Sequence, residues 1–553
     1  MSKITSTLAE LAEKAGDNYR RIAEVKAERK EENLCRAIGA YRKALSFFTP
    51  QSYRLRHANL QNSLGITYCR LGEIREMEAN FGLAIKAFKD CLRIYTFEAF
   101  AQGYAGTQNN LGNAYRNLAE VRDKEKSLGL AINAFEEALR VRTFKASPKN
   151  YAVTQNNLGN AYSGLAEVRD KEENLVLAIK AFEEALRVHT LKAFPRDHAM
   201  AQGNLGTAYR GLAEVRDKEV NLVLAIKACK EALRVYTLKA FPQDYAMGQS
   251  NLGAAYRELA EVRDKEANLG HALQASEEAL RVYTLEAFPQ CYATTQNNLG
   301  IAYSGLAEVR DKEANLVLAI KALDETLRVY TFESFPQHYA TTQNNLGNAY
   351  RNLAGVRDKE ANLGLSIKAY GEALRVNTFE AFPQDHAMIQ SNLGNAYRDL
   401  AEVQDKEGNL RLTIEAHREA LRVHTIQAFP QQYAAIQNNL GNAYRTLAKV
   451  RDKEANLNLA IGAFREALQV FTFAALPEDY ATTQSNLART YVALGVARFE
   501  GGAGEEAKDL LHAAQASAAE ALRVYTRESN PERQETLSKL LSVLDALLAK
   551  LRS

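Results

Sequence analysis

The chain has 553 residues, 70 Lys+Arg against 67 Asp+Glu for a net charge of +3, and 46% apolar residues. One hydrophobic core does not usually extend that far, so the length calls for several domains or one repetitive body. The near-neutral balance argues against a polyanionic partner, and no run approaches the ~18 apolar residues of a membrane span, so a cytoplasmic chain without membrane attachment is expected.

From the N-terminus, "MSKITSTLAELAEKAGDNYRR" has no apolar leader segment. Ten Lys/Arg against four Glu between Tyr19 and His57 make this end modestly basic, which reads as a solvated face. The stretch "NYRRIAEVKAERKEENLCRAIGAYRKAL" opens a pattern that recurs down the chain, with two extra residues in its loop; residues 1–48 are read as an N-terminal capping repeat. Glycines then fall at Gly65, Gly112, Gly159, Gly206, Gly253, Gly300, Gly347, Gly394 and Gly441, each 47 residues after the last, and the series continues at Ala488. Eight of the ten prolines keep the same step, from Pro148 to Pro477. Eleven repeats result, with the array proper over 49–527 and a seven-residue insertion around "EGGAGEE" in the last.

Each unit predicts two helices. In the first, Gln343, Leu346, Gly347, Tyr350, Leu353 and Ala354 follow i, i+3, i+4, i+7 spacing, and Pro336 suits a first-turn position. The charged stretch "VRDKEAN" breaks the pattern, and Asn362 is the expected N-cap of a second helix, "LGLSIKAYGEALRV". No stretch alternates with period two for long, so no sheet is expected. At the C-terminus, 528–553 predicts one more helix, with Leu537, Leu540, Leu541, Leu544, Leu547, Leu548 and Leu551 on one face. Repeat arrays need their ends covered, so this helix is read as a cap, with a homodimer through the same face as the alternative.

The five cysteines, an odd number without a CxxC pair, exclude a disulfide framework, and Cys91 and Cys229 stand where sister repeats have Ala or Phe, as core fillers would. His198 and His386 replace a repeat tyrosine (Tyr245 in a sister), which points to aromatic packing rather than metal binding or base catalysis. No phosphate loop, GxSxG or HExxH motif occurs; no enzyme activity and no cofactor is expected.

Leu111, Gly112 and Tyr115 in the first helix, with Ala131, Phe135 and Ala138 in the second, resemble the tetratricopeptide signature, and the match recurs about ten times. The resemblance implies an all-α, right-handed α-solenoid of about eleven helix-turn-helix repeats with a ligand groove on its concave face. The unit is 47 residues rather than the family's about 34, with the additions expected as roughly seven residues in the A–B loop and roughly six at the B–A′ turn. "TQNNLGNAYSGLAEV" and "FPQDYA" are similar to bacterial long-repeat arrays found with CHAT-type proteases, although no protease module follows the repeats.

On a helical wheel at about 100° per residue, Asn109, Asn110, Asn113 and Asn117 fall opposite the packed face, on the side that lines the groove in this family. Asn110, Asn157, Asn204, Asn251, Asn298, Asn345, Asn392, Asn439 and Asn486 hold one repeat position. Asn113, Asn160, Asn348, Asn395 and Asn442 hold another, interrupted by Thr207, Ala254 and Ile301. Asparagine is a poor helix former, costing on the order of 0.6 kcal/mol against Ala. Its amide presents an acceptor and two donors in one plane, which match an extended peptide backbone. The column resembles the asparagine ladder of the O-GlcNAc transferase superhelix; a structural role in the fold is the competing reading.

Arg116, Arg210, Arg257, Arg351, Arg398 and Arg445 form a further column, broken by Ser163, Ser304 and Val492, that pairs either with ligand carboxylates or with acidic residues of neighbouring repeats. The middle of the groove is expected to be least polar, with Met200 and Met247 near a pocket for apolar side chains. The function these readings predict is a scaffold or adaptor holding a protein or peptide partner in extended conformation. The alternative is a regulatory, partner-sensing subunit of a separately encoded CHAT-type protease or other effector. An RNA-binding helical repeat fits less well, because the charge is near neutral and the tyrosines pack inward.

Overall fold

The computed structural model describes residues 3–25, 27–527 and 530–550. Among them the chain is all-α: twenty-three helices, one short 3-10 turn at Ala27–Arg29, and no strand. Two compact units, residues 1–283 and 284–553, are each built as a row of tetratricopeptide-like helical hairpins. A representative hairpin joins Pro148–Leu165 to Lys171–Leu186. Within each unit every helix packs on the next in the chain, and first helices of successive repeats also touch one another. The first-helix side is therefore the inner side of each row.

The periodic glycines lie within helices, so close approach explains them rather than unusual dihedrals. A Cβ on Gly112 would sit 2.6 Å from the Phe135 ring, and on Gly441 2.5 Å from Phe464. The two helices of a hairpin meet over that bare backbone with the phenylalanine filling the gap, and these rings are fully buried.

The second helix starts earlier than its apolar periodicity suggests. It runs from Lys359, not Leu363, in the hairpin that contains Asn362. Asn362 is not the N-cap. The residue before the helix is Asp358, held left-handed at φ 45°, and Asn362 sits buried in the first turn with its amide donating to the Arg357 carbonyl at 2.9 Å. Part of the charged stretch expected as loop is thus helix. The same device recurs: Asn174 donates to Arg169 O at 2.8 Å, Asn268 to Arg263 O at 2.7 Å and Asn456 to Arg451 O at 2.8 Å. Each time it satisfies a carbonyl beside an Asp at positive φ, a conformation an aspartate tolerates better than most residues.

Around the insertion, Pro477–Glu500 and Gly504–Arg527 are each 24 residues long, so most of it adds turns to helices. The final helix, Pro531–Lys550, buries Leu537, Leu544 and Leu548 against its own unit, with Leu540 and Leu547 partly covered. Leu551, and Glu528 and Ser529 at the start of the expected cap, lie outside the described residues. Among the described residues, no helix is long and apolar enough to cross a membrane, and no group of His, Cys, Asp and Glu could hold a metal ion.

Candidate ligand groove

The amides of the long column meet the preceding repeat. In the first unit Asn110 Nδ2 donates to Asn62 Oδ1 at 3.1 Å, Asn157 to Asn109 at 3.4 Å and Asn204 to Asn156 at 3.3 Å. In the second, Asn345 donates to Asn297 at 3.3 Å, Asn392 to Asn344 at 3.2 Å, Asn439 to Asn395 at 3.2 Å and Asn486 to Asn438 at 3.5 Å. The ladder is thus a seam between neighbouring first helices. All nine residues of the column, Asn251 and Asn298 included, are half-buried. A wheel drawn for one helix does not see the next helix standing beside it, which is why Asn109, placed opposite the packed face, is 7% exposed and its equivalent Asn156 only 2%.

Seven of the nine column amides spend one N–H on the preceding repeat. No side-chain partner among the described residues occupies the oxygens of Asn157, Asn204 or Asn345, so each keeps an acceptor and a second donor. The second column is less engaged in the first unit. Asn113 and Asn160 are half-buried without a hydrogen-bond partner among the described residues. In the second unit Asn348 accepts from the Tyr370 hydroxyl at 2.7 Å, Asn395 from Arg398 at 3.1 Å, and Asn442 from Arg445 at 2.9 Å.

The arginine column divides. Arg210 and Arg257 both reach Glu258 at 3.3 Å, while Arg351 and Arg398 both reach Asp399 at 2.8 Å. Each pair shares a single carboxylate, so these four are held by two acids within the array. Burial pushes the Glu258 carboxyl up even though both guanidiniums pull it down. Arg116 and Arg445 instead have amide partners, Asn117 at 3.3 Å and Asn442 at 2.9 Å, and burial lowers both pKa values. The positive charge of Arg489 lowers Arg445 further.

Histidine and cysteine serve packing. His198 and His386 each place Nδ1 2.9 Å from a main-chain oxygen, and His386 lies edge-on to Phe379. His417 occupies the phenylalanine slot opposite Gly394, fully buried with neither ring nitrogen bonded, and burial drives its pKa to about 3. Cys91 and Cys229 are buried free thiols, both pushed up to about 11 by desolvation, so neither is a ready nucleophile.

A cavity of about 510 Å³ opens on the first-helix side of the first unit, lined by Met200, Gly203, Asn204, Thr207, Cys229, Met247, Gly248 and Asn251, with Arg196, Asp197 and Asp244 also in its wall. It lies one repeat before Ile301, which is only half-buried, while Ala254 is packed away. The column of residues one after the glycine therefore misplaces its centre, although Met200 and Met247 do line it. The signal that locates it is the coincidence of small residues at Gly203, Cys229 and Gly248, readable by aligning the repeats.

No protein-family description and no curated protein matches the chain. Among solved structures it is similar to the C-terminal part of a TPR repeat-containing protein from Cytophaga hutchinsonii, at 17% identity, covering 56% of this chain and 94% of that one, with a TM-score of 0.34. It is similar to human IFIT1, in a dimer with m7Gppp-AAAA, at 15% identity over 89% and 94% of the two chains, with a TM-score of 0.40. A signal-transduction ATPase with a tetratricopeptide repeat sensor from Pyrococcus horikoshii gives 12% identity, 92% and 74% coverage, and a TM-score of 0.42. The fold is carried by the hairpin geometry itself and not by these likenesses.

Proposed function

We propose that the chain is a non-catalytic scaffold whose first-helix side holds an extended segment of a protein partner through its asparagines. The observation that carries this reading is the state of the amides. A seam asparagine with one N–H fixed on its neighbour is oriented in advance and still offers C=O and N–H in one plane, the complement of a peptide unit. Asn113 and Asn160, with no hydrogen-bond partner among the described residues, offer more. Four of the arginines are tied to seam acids, whereas Arg116 and Arg445 have only amide partners and are the column's charges offered to a ligand carboxylate.

The test uses random linear peptides displayed on phage and selected on the intact chain, with a photo-crosslinking residue placed at Asn160 or, for comparison, at exposed Lys180 on a second helix. Crosslinks to selected peptides are expected at 160 and not at 180. Crosslinking confined to 180, or no selected peptide at all, overturns the proposal; capture of random RNA instead of peptide turns it toward the nucleic-acid reading.

A further inference from the structure

We infer that the cavity bounded by Met200, Gly203, Cys229, Met247, Gly248 and Asn251 is a specificity pocket taking one large apolar side chain of the bound segment, with a basic residue beside it in the ligand. The inference rests on the peptide-binding reading above.

Three replacements make the cavity, and all three fall in adjacent repeats. Gly203 stands where sister repeats have Asn109 and Asn156. Cys229 stands where they have Phe135 and Phe182, and Gly248 where they have Thr107 and Thr154. Packing does not demand the first of these: a Cβ at Gly203 would meet nothing within 4 Å. Glycine inside a helix weakens it, so a glycine with room for a side chain signals space kept open rather than a close approach. The loss of the amide at 203 has a second effect. Asn251 is the seam residue that would donate to that position, and it makes no hydrogen bond among the described residues while lining the cavity. The ladder is broken at the pocket, and its unspent amide hangs over it.

The lining suits an anchor side chain. Met200 and Met247 are 41% and 49% exposed, and methionine adapts its shape to an apolar partner. At the mouth, the Arg196 guanidinium stacks on Phe241 at 5.5 Å, while Asp197 and Asp244 have no ion-pair partner among the described residues. Both aspartates stand in the first turn of a helix and line the cavity without such a partner. Charge complementarity therefore places Lys or Arg next to the apolar anchor.

The peptides selected on the intact chain provide the probe. They are expected to share an aromatic, Met or Leu residue with Lys or Arg within two positions. Gly203→Asn restores the sister amide where space exists, and Cys229→Phe rebuilds the ring that packs on Gly159 in a sister hairpin. Each is expected to fold and to weaken these peptides by roughly tenfold to a hundredfold. Asp197→Asn with Asp244→Asn is expected to cost several-fold at low salt and little at high salt. Peptides that lack the anchor, or that bind both filled variants with unchanged affinity, overturn the pocket. If those same peptides still weaken on Asn113→Ala with Asn160→Ala, groove binding survives and only the pocket fails. Peptides indifferent to both sets of variants sink the groove reading and the pocket with it.

Discussion

Asn204→Ala separates seam energy from helix propensity. Asn204 donates to Asn156 Oδ1 at 3.3 Å, and Asn156 is 2% exposed with no other side-chain partner among the described residues. Removing the donor orphans a buried carbonyl, which costs about 1–3 kcal/mol. Alanine returns about 0.6 kcal/mol as the better helix former, so the net loss is about 0.5–2.5 kcal/mol. Asn157→Ala is the comparison. Its acceptor, Asn109 Oδ1, also lies 3.1 Å from the Thr154 hydroxyl, whose single hydrogen is shared with Asn150 O at 2.8 Å, so it is only partly orphaned. A loss of only about 0.5–1.5 kcal/mol, less the same propensity gain, leaves that variant near neutral. A row of hairpins opens piecewise, so native-state hydrogen exchange over Pro148–Leu165 and Pro195–Ala213 is the suitable assay. Protection is expected to fall roughly tenfold in Asn204→Ala and by less than threefold in Asn157→Ala. Equal effects, or a larger one for Asn157→Ala, would refute the seam as the source of that energy.

His417 makes part of the second unit pH-sensitive. Its folded pKa of about 3 lies below the ordinary value, so the unfolded chain binds the proton more readily. That contribution is full above pH about 6.5 and is lost as pH falls toward the folded pKa, amounting to up to about 2 kcal/mol by pH about 5. His417→Phe, which restores the ring of sister repeats, should raise stability at pH 5 more than at pH 7.5; thermal melts with equal gains at both would contradict this. Asn174→Ala removes the amide that holds the Arg169 carbonyl at 2.8 Å, and exchange protection at the start of Lys171–Leu186 should drop about tenfold. Unchanged protection there would show the buried amide to be dispensable.

The array was legible because its cause is local and repeated: a glycine every 47 residues, in most repeats under a ring, and from Pro148 onward a proline at the start of each first helix. The long asparagine column was legible as a position but not as an arrangement. Whether Asn109 faces solvent depends on the first helix of the next repeat, which no single-helix wheel contains. The start of the second helix was missed for a related reason. Lys359, Glu360 and Asn362 are polar and break the apolar period, yet the turn is set by Asp358 in a left-handed conformation and by the Asn362 amide on the loop carbonyl. The pairing of Arg351 with Asp399, 48 residues on, needed the register between repeats.

The most direct test of the scaffold reading is a titration of the selected peptides against the intact chain and against Asn113→Ala with Asn160→Ala. Neither asparagine has a partner among the described residues, so no seam is cut, and stability should hold or rise slightly. At about 1 kcal/mol per lost neutral hydrogen bond, affinity should fall about tenfold to thirtyfold, with little dependence on salt. Unchanged affinity in a variant that folds as well as the parent would contradict the claim that these amides hold the ligand.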